Sequence, residues 1–440
     1  MNRINMWFKR LANSKGMRNS FWIIGEQVFQ MFVSLIVGML SARYLGPGNY
    51  GSLNYTASLV SFFSAISTLG MEGVVVKKLI EHPNEEGDYL GACILLRFFA
   101  SVFSILSIGI MIVILNPGNP LKLCLGLIQG IQLAWKSVFI LDSWFQRHLC
   151  SRYVSLGKAG ACLCVATYKI YLLVAKKSII WFAFSTVISE MILALTVFWF
   201  YSQETTQKIR INLKKGMEVL KESYHFIISG LMSATYGQMD KIMIGSYLGD
   251  QQVGYYTTAN TISSMWLFVP IAVINSFQPK ILELKNSKNE KLYQRRLEQL
   301  YSFLIWMCIG FSLVVCVFSR WIVQILYGDA YTEATETLKI CIWYELFAII
   351  GTMRGIWILA EKKNQYAKYF LGIGAVVNIV LNVMWIPAFG INGAAYATLI
   401  TQIVTSMIAP LLFKETRNYT KLVLEAFVCK WWLDGRTIEG

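Results

Sequence analysis

Twelve charged side chains stand inside long apolar runs of this sequence: Glu26, Arg97, Lys136, Asp142, Lys158, Lys169, Glu190, Asp240, Lys241, Lys339, Glu345 and Arg354. A charge so placed is costly and faces a partner, a cavity or a ligand. Asp142, Lys158 and Lys339 lie close to the end of a run, where a long side chain can reach the interface. In the first half the deeper groups are mainly cations: Arg97, Lys136 and Lys169. Lys158 and Lys169 are eleven residues apart. Eleven helical steps return to within about 20° of the starting direction, so one helix carries both on one face, roughly 16 Å apart. Two cations on one stripe repel unless something anionic lies between them. Glu26 or Glu190 from a neighbouring run fits that role, and so does an anionic substrate. The chemistry on offer is anion binding.

The first run adds a polar stripe, Gln27, Gln30, Ser34 and Ser41, which a lipid-facing surface does not tolerate. Asp240 follows Ser233, Tyr236 and Gly237 on one side of its run, beside Lys241. It can take up a proton or an ion during transport, or hydrogen-bond to another helix. Glu345 and Arg354 are nine residues apart, on opposite sides of a helix, and cannot pair. Two GxxxG patterns, Gly126–Gly130 and Gly351–Gly355, allow close helix packing. Nothing resembles a catalytic or metal-binding constellation. The three histidines, His82, His148 and His225, sit at loop edges, and no HExxH, GxSxG or phosphate loop occurs. Cys162 and Cys164 point about 200° apart on a helix, so the cysteines read as small hydrophobes. No cofactor, no metal and no enzyme activity is expected.

The elements that carry these residues are membrane spans. Hydrophobic residues make up 55% of the 440 residues and charged residues 15%. A soluble fold cannot hide that much apolar surface, whereas a bilayer accepts it in helices of about 20 residues. Twelve spans are expected: 20–44, 51–74, 89–115, 121–145, 153–175, 178–201, 223–247, 252–279, 298–326, 336–360, 366–388 and 391–413. With the N-terminus inside, cytoplasmic segments hold 28 Lys and Arg against 5 on the other side. That asymmetry puts both termini in the cytoplasm. The net charge of +15 then reflects loop anchoring, and no nucleic-acid partner is expected.

The basic loop at mid-chain, 206–222, is expected to link a six-helix bundle at 1–205 to a second at 223–413, with a cytoplasmic tail at 414–440. The tail is too short to span and reads as an interfacial helix held by Trp431 and Trp432, or as a frayed end. A faint repeat supports two halves. Tyr44-Leu45-Gly46 and Gly51 recur as Tyr247-Leu248-Gly249 and Gly254, each copy between the first and second span of its half.

Four motifs in order carry a family resemblance: Arg43-Tyr44-Leu45-Gly46-Pro47-Gly48-Asn49-Tyr50-Gly51, Gln238-Met239-Asp240-Lys241-Ile242-Met243-Ile244-Gly245 continuing to Leu248-Gly249 and Val253-Gly254-Tyr255-Tyr256, Tyr327-Gly328-Asp329-Ala330-Tyr331, and Asn378, Asn382, Pro387 with Gly390-Ile391-Asn392-Gly393-Ala394-Ala395. The chain resembles the Wzx-type oligosaccharide flippases of the multidrug/oligosaccharidyl-lipid/polysaccharide exporter superfamily. The resemblance implies an all-α, two-lobed exporter fold in the bacterial cytoplasmic (inner) membrane. It implies alternating access and an undecaprenyl-pyrophosphate-linked oligosaccharide repeat unit as substrate, for O-antigen, capsule or exopolysaccharide synthesis. Polysaccharide polymerase and chain-length proteins are the partners it implies. On that reading Arg97, Lys136, Lys158 and Lys169 line the cavity and offset the desolvation of the pyrophosphate. Glu26 or Asp240 couples the motion to a proton or sodium gradient. The alternatives are a multidrug or cation antiporter of the same fold, for which a lysine-rich interior is unfavourable, and a membrane glycosyltransferase or polymerase, which needs a larger extramembrane loop.

Overall fold

The computed structural model describes residues 15–205, 207–287 and 289–428, with side chains from Gly25 onward. The basic stretch 1–14 and the Trp431–Trp432 pair lie outside the described residues. Among the described residues every regular element is helical. Among the described residues eight helical stretches are long and apolar enough to cross a bilayer, or nine with the bent pair Asp250–Ser264 and Phe268–Asn286.

Two of these stretches each hold the length of two crossings. α1 (Lys15–Ser67) is 53 residues long, about 80 Å against a hydrocarbon core of about 30 Å. It breaks at Gly46, with φ 71° and ψ 167°, followed by Pro47. Positive φ is open to glycine, and proline removes an amide donor, so the Leu45-Gly46-Pro47 motif divides spans one and two. The second such stretch, Asn364–Leu412, breaks at Gly390 (φ 61°) after Pro387. The helix Leu213–Tyr247 has the length of a span with lower hydropathy. All twelve expected spans are thus helical.

Several boundaries differ from the sequence reading. The first half of the segment 75–88, expected as a loop, belongs to helix α2 (Glu72–Glu81), separated from α1 by Leu69 and Gly70 with positive φ. The fourth span is not one helix. It comprises α4 (Pro120–Gly130), α5 (Gln132–Lys136), a 3-10 turn at Val138–Leu141 and α6 (Asp142–Arg147). There Ser137 Oγ donates to the Ala134 carbonyl at 2.6 Å, a side-chain bond that competes with the helical ladder.

The chain forms two compact units, Met1–Ala234 and Thr235–Gly440. In the first, α1 packs on α3 (Glu86–Leu115) and on α7 (Arg152–Val174), which packs on α8 (Ile179–Glu204). The polar stripe of α1 meets α7: Gln30 Nε2 donates to the Lys158 carbonyl at 3.2 Å. The Gly126–Gly130 pattern does bring helices close, since a Cβ at Gly126 would strike Ile112 of α3. At Gly351 and Gly355 a Cβ would meet nothing within 4 Å, so that pattern makes no such contact among the described residues.

The expected linker packs on unit one. Arg210 N donates to the Gly87 carbonyl at 3.1 Å. A Cβ at Gly87 or Gly91 would run into the backbone of Lys208 or Arg210. Only glycines one turn apart let this strap lie against α3. α9 (Leu213–Tyr247) then begins.

Unit two comprises the later turns of α9, α10 (Asp250–Ser264), α11 (Phe268–Asn286), α12 (Glu290–Tyr327), α13 (Ala334–Ala360), α14 (Ala367–Ile403) and the tail helix α15 (Arg417–Phe427). The tail is docked through 428: Tyr419 is buried and its hydroxyl donates to the Ile350 carbonyl at 2.8 Å.

Candidate functional site

Unit one gathers three of the four expected cations around carboxylates. α3 buries Arg97 to 1% exposure. Its nearest acid is Glu72, at the start of α2, 3.6 Å away. All three guanidinium nitrogens are buried without a hydrogen bond among the described residues. Lys136, at the end of α5, donates to Ser64 Oγ at 2.9 Å. Glu190 on α8 stands within electrostatic reach of both Lys136 and Lys158. Lys158 also lies over the Phe139 ring, 5.4 Å from its centroid. Lys169, on α7, has Cys162 within electrostatic reach.

A cavity of about 460 Å³ opens beside Lys158. Glu26, Asp142, Gln146 and Ser155 share its wall with Lys158. Glu26 is 7% exposed, and its Oε1 is buried with no hydrogen bond among the described residues. Asp142 accepts from Gln146 Nε2 at 2.9 Å. The carboxylates Glu26, Glu72, Asp142 and Glu190 therefore stand among the cations, so this interior is more evenly charged than the cation row alone implied. The sequence reading passed over Glu72, which stands two residues from the end of the expected span 51–74 and beyond the Gly70 break.

Asp240 has a different setting. Its carboxylate, 6% exposed, collects four neutral donors from unit two. Tyr256 Oη (2.6 Å) and Thr398 Oγ1 (2.5 Å) donate to Oδ2. Asn378 Nδ2 (3.1 Å) and Asn382 Nδ2 (2.6 Å) donate to Oδ1. The amide carbonyl of Asn382 is buried without a donor among the described residues. This node lies on three helices; Asp240, Asn378 and Asn382 fell in two of the four sequence motifs, whereas Thr398 fell in none. Glu345 and Arg354 do not pair, as expected: Glu345 accepts from Ser263 Oγ at 3.3 Å, and Arg354 donates to the Thr405 carbonyl. Among the described residues no group of three or more His, Cys, Asp or Glu could hold a metal ion.

At one end of unit one an ion cluster ties the start of α9 to α2 and α3. Lys78 lies 2.5 Å from Glu218 and 2.6 Å from Glu222. Lys215 pairs with Glu85 and lies 3.6 Å from Asp88. The Lys78 ammonium holds the Glu218 and Glu222 carboxyls below the usual carboxylate range.

Residues 17–285 match the family model described as polysaccharide biosynthesis protein, and 226–384 match a second model, MatE. Among characterised sequences, the probable low-salt glycan biosynthesis flippase Agl15 of Haloferax volcanii is 25% identical over 409 residues, 89% of this chain and 82% of that protein. The probable flippase AglR of the same organism is 22% identical over 403 residues, 88% of this chain and 80% of that protein. Among solved structures, the lipid II flippase MurJ in an inward closed conformation superposes with a TM-score of 0.71 at 16% identity, covering 94% of this chain and 93% of that one. An inward-facing multidrug resistance MATE family transporter of the MOP superfamily superposes at 0.66 and 12% identity, over 89% of this chain and 95% of that one. The resemblance read from the four motifs is met in both sequence family and exporter fold.

Proposed function

The chain belongs to the polysaccharide biosynthesis protein family, and from that premise we propose that it flips a lipid-linked glycan across the membrane by alternating access, without catalysing a reaction. The cargo in this reading is an oligosaccharide repeat unit on undecaprenyl pyrophosphate, moved across a bacterial cytoplasmic membrane for surface polysaccharide synthesis. Both termini face the cytoplasm, and a polymerase and chain-length proteins act downstream. The two flippase relatives above are from Haloferax volcanii; a polyprenyl carrier of another length, joined to its glycan through phosphate, also presents an anion.

The observation that carries this reading is Arg97. This guanidinium is buried in a membrane helix, has Glu72 3.6 Å away and makes no hydrogen bond among the described residues, so its N–H donors remain on offer to an anion. A phosphate oxygen that displaced Glu72 would supply the missing acceptors, bidentately. Lys136 and Lys158 extend the positive row, and Lys169 lies further along α7. In this reading Asp240 or Glu26 couples the motion to a proton or sodium gradient.

The test is a liposome flipping assay with a polyprenyl-pyrophosphate-linked glycan. Arg97→Ala and Lys136→Ala should each abolish flipping while leaving the amount of folded protein unchanged, and Arg97→Lys should retain part of it because charge is kept. Normal flipping by both Ala variants would refute the anion clamp. One observation favours a second reading, a cation antiporter: Glu26 and Asp142 outnumber Lys158 on the cavity wall. Ethidium efflux that survives Arg97→Ala but fails in Glu26→Gln would support it.

A further inference from the structure

The cavity beside Lys158 differs in kind from the cation row. Its wall carries two carboxylates, Glu26 and Asp142, against one ammonium, with the Ser155 hydroxyl and the Gln146 amide between them. Glu26 Oε1 is buried and has no donor among the described residues. Asp142 uses Oδ2 for Gln146 and leaves Oδ1 unoccupied among them. A pyrophosphate placed here would meet like charge and be repelled. A polyhydroxylated ring would not. Its hydroxyls donate to the two carboxylates and accept from Lys158 and Gln146, which uses both halves of the wall's hydrogen-bonding capacity. At about 460 Å³ the cavity falls within the roughly 300–1,000 Å³ of small-molecule sites.

Lys158 belongs both to this wall and to the row that reaches Glu190 and Lys136. A sugar joined to a pyrophosphate can therefore set its phosphates on the row and its ring in the cavity. We propose that the cavity lined by Glu26, Asp142, Gln146, Ser155 and Lys158 is a saccharide subsite that holds the sugar nearest the pyrophosphate. Recognition of the cargo then depends on its first sugar as well as on its anionic headgroup. This inference rests on the flippase reading above.

The test titrates the full-length protein in nanodiscs with farnesyl pyrophosphate, bare or carrying one hexose or one N-acetylhexosamine. Wild type should bind at least one sugar-bearing lipid about tenfold or more tighter than the bare one. Glu26→Gln should cut that ratio about tenfold, since a charged acceptor of buried hydroxyls is lost. Ser155→Ala should cut it several-fold, and this small change decides the matter if Glu26→Gln does not fold. A ratio near one with every sugar, or a ratio unchanged in the folded variants, overturns the subsite and leaves the flippase reading standing. Failure of wild type to bind either lipid overturns both. Glu26-dependent binding of ethidium also overturns the subsite, because it marks the cavity as a cation site.

Discussion

Removing the Asp240 side chain separates its structural from its coupling role. Asp240→Ala removes the acceptor that Tyr256, Asn378, Asn382 and Thr398 share, while Asn382 keeps another partner, the Asn378 side-chain carbonyl at 3.0 Å. Hydrogen bonds between membrane helices are worth about 0.6 kcal/mol on average, with a maximum near 1.7. Four of them, to a charged acceptor, place the expected loss at about 2–4 kcal/mol. Asp240→Asn is a gentler change. Its carbonyl can keep both asparagine donors, while the two hydroxyls turn and accept from its amide. The Asn variant should therefore lose less than about 1 kcal/mol. Thermal unfolding in detergent, followed by size-exclusion fluorescence, measures both. Expected is a melting temperature several degrees lower for Asp240→Ala and close to wild type for Asp240→Asn. If Asp240→Ala melts like wild type, the four-donor node is not holding unit two together. If Asp240→Asn falls as far as Asp240→Ala, the negative charge itself stabilises the node and the neutral-donor account is wrong. Flipping by the folded Asp240→Asn protein then reports on coupling alone: loss of flipping at unchanged stability assigns the charge to transport.

Gly91→Ala should destabilise by about 1–3 kcal/mol through its clash with the Arg210 carbonyl, and should speed protease nicking in 205–212; Gly355→Ala, where a Cβ meets nothing within 4 Å, should be neutral in the same melting assay. The depressed Glu218 and Glu222 carboxyls contribute stability that is present above the ordinary carboxylate pKa, about 4.3, and lost as pH falls through their lower folded values. Because both are partly exposed, 46% and 35%, the effect should be small and weakened by salt; an acid-side melting profile in Glu218→Gln/Glu222→Gln that matches wild type would contradict it. Reporter fusions after Lys215 and Lys291 should read as cytoplasmic and one after Asp250 as external, and a cytoplasmic reading at Asp250 would break the topology.

The sequence by itself determined the class of protein, the number of helical spans and the two glycine breaks. Each of these depends on properties confined to a window of neighbouring residues. Twenty apolar residues need a bilayer wherever they stand, and Leu45-Gly46-Pro47 breaks a helix through its own φ and its missing amide. The charged residues within spans were legible for the same reason. Their partners were not. Asp240 meets Asn378, Asn382 and Thr398 across 138, 142 and 158 residues. Arg97 faces Glu72, and Lys78 reaches Glu218 across 140 residues. Such meetings depend on how each helix is rotated about its axis and where it crosses its neighbour, and side-chain packing sets both. A rotation of one residue, about 100°, would turn Asp240 away from all four donors without altering the hydropathy of its span. Tertiary packing decided which buried cations have carboxylates beside them. It also decided that Gly87 and Gly91 exist to let the strap at 208–210 lie on α3.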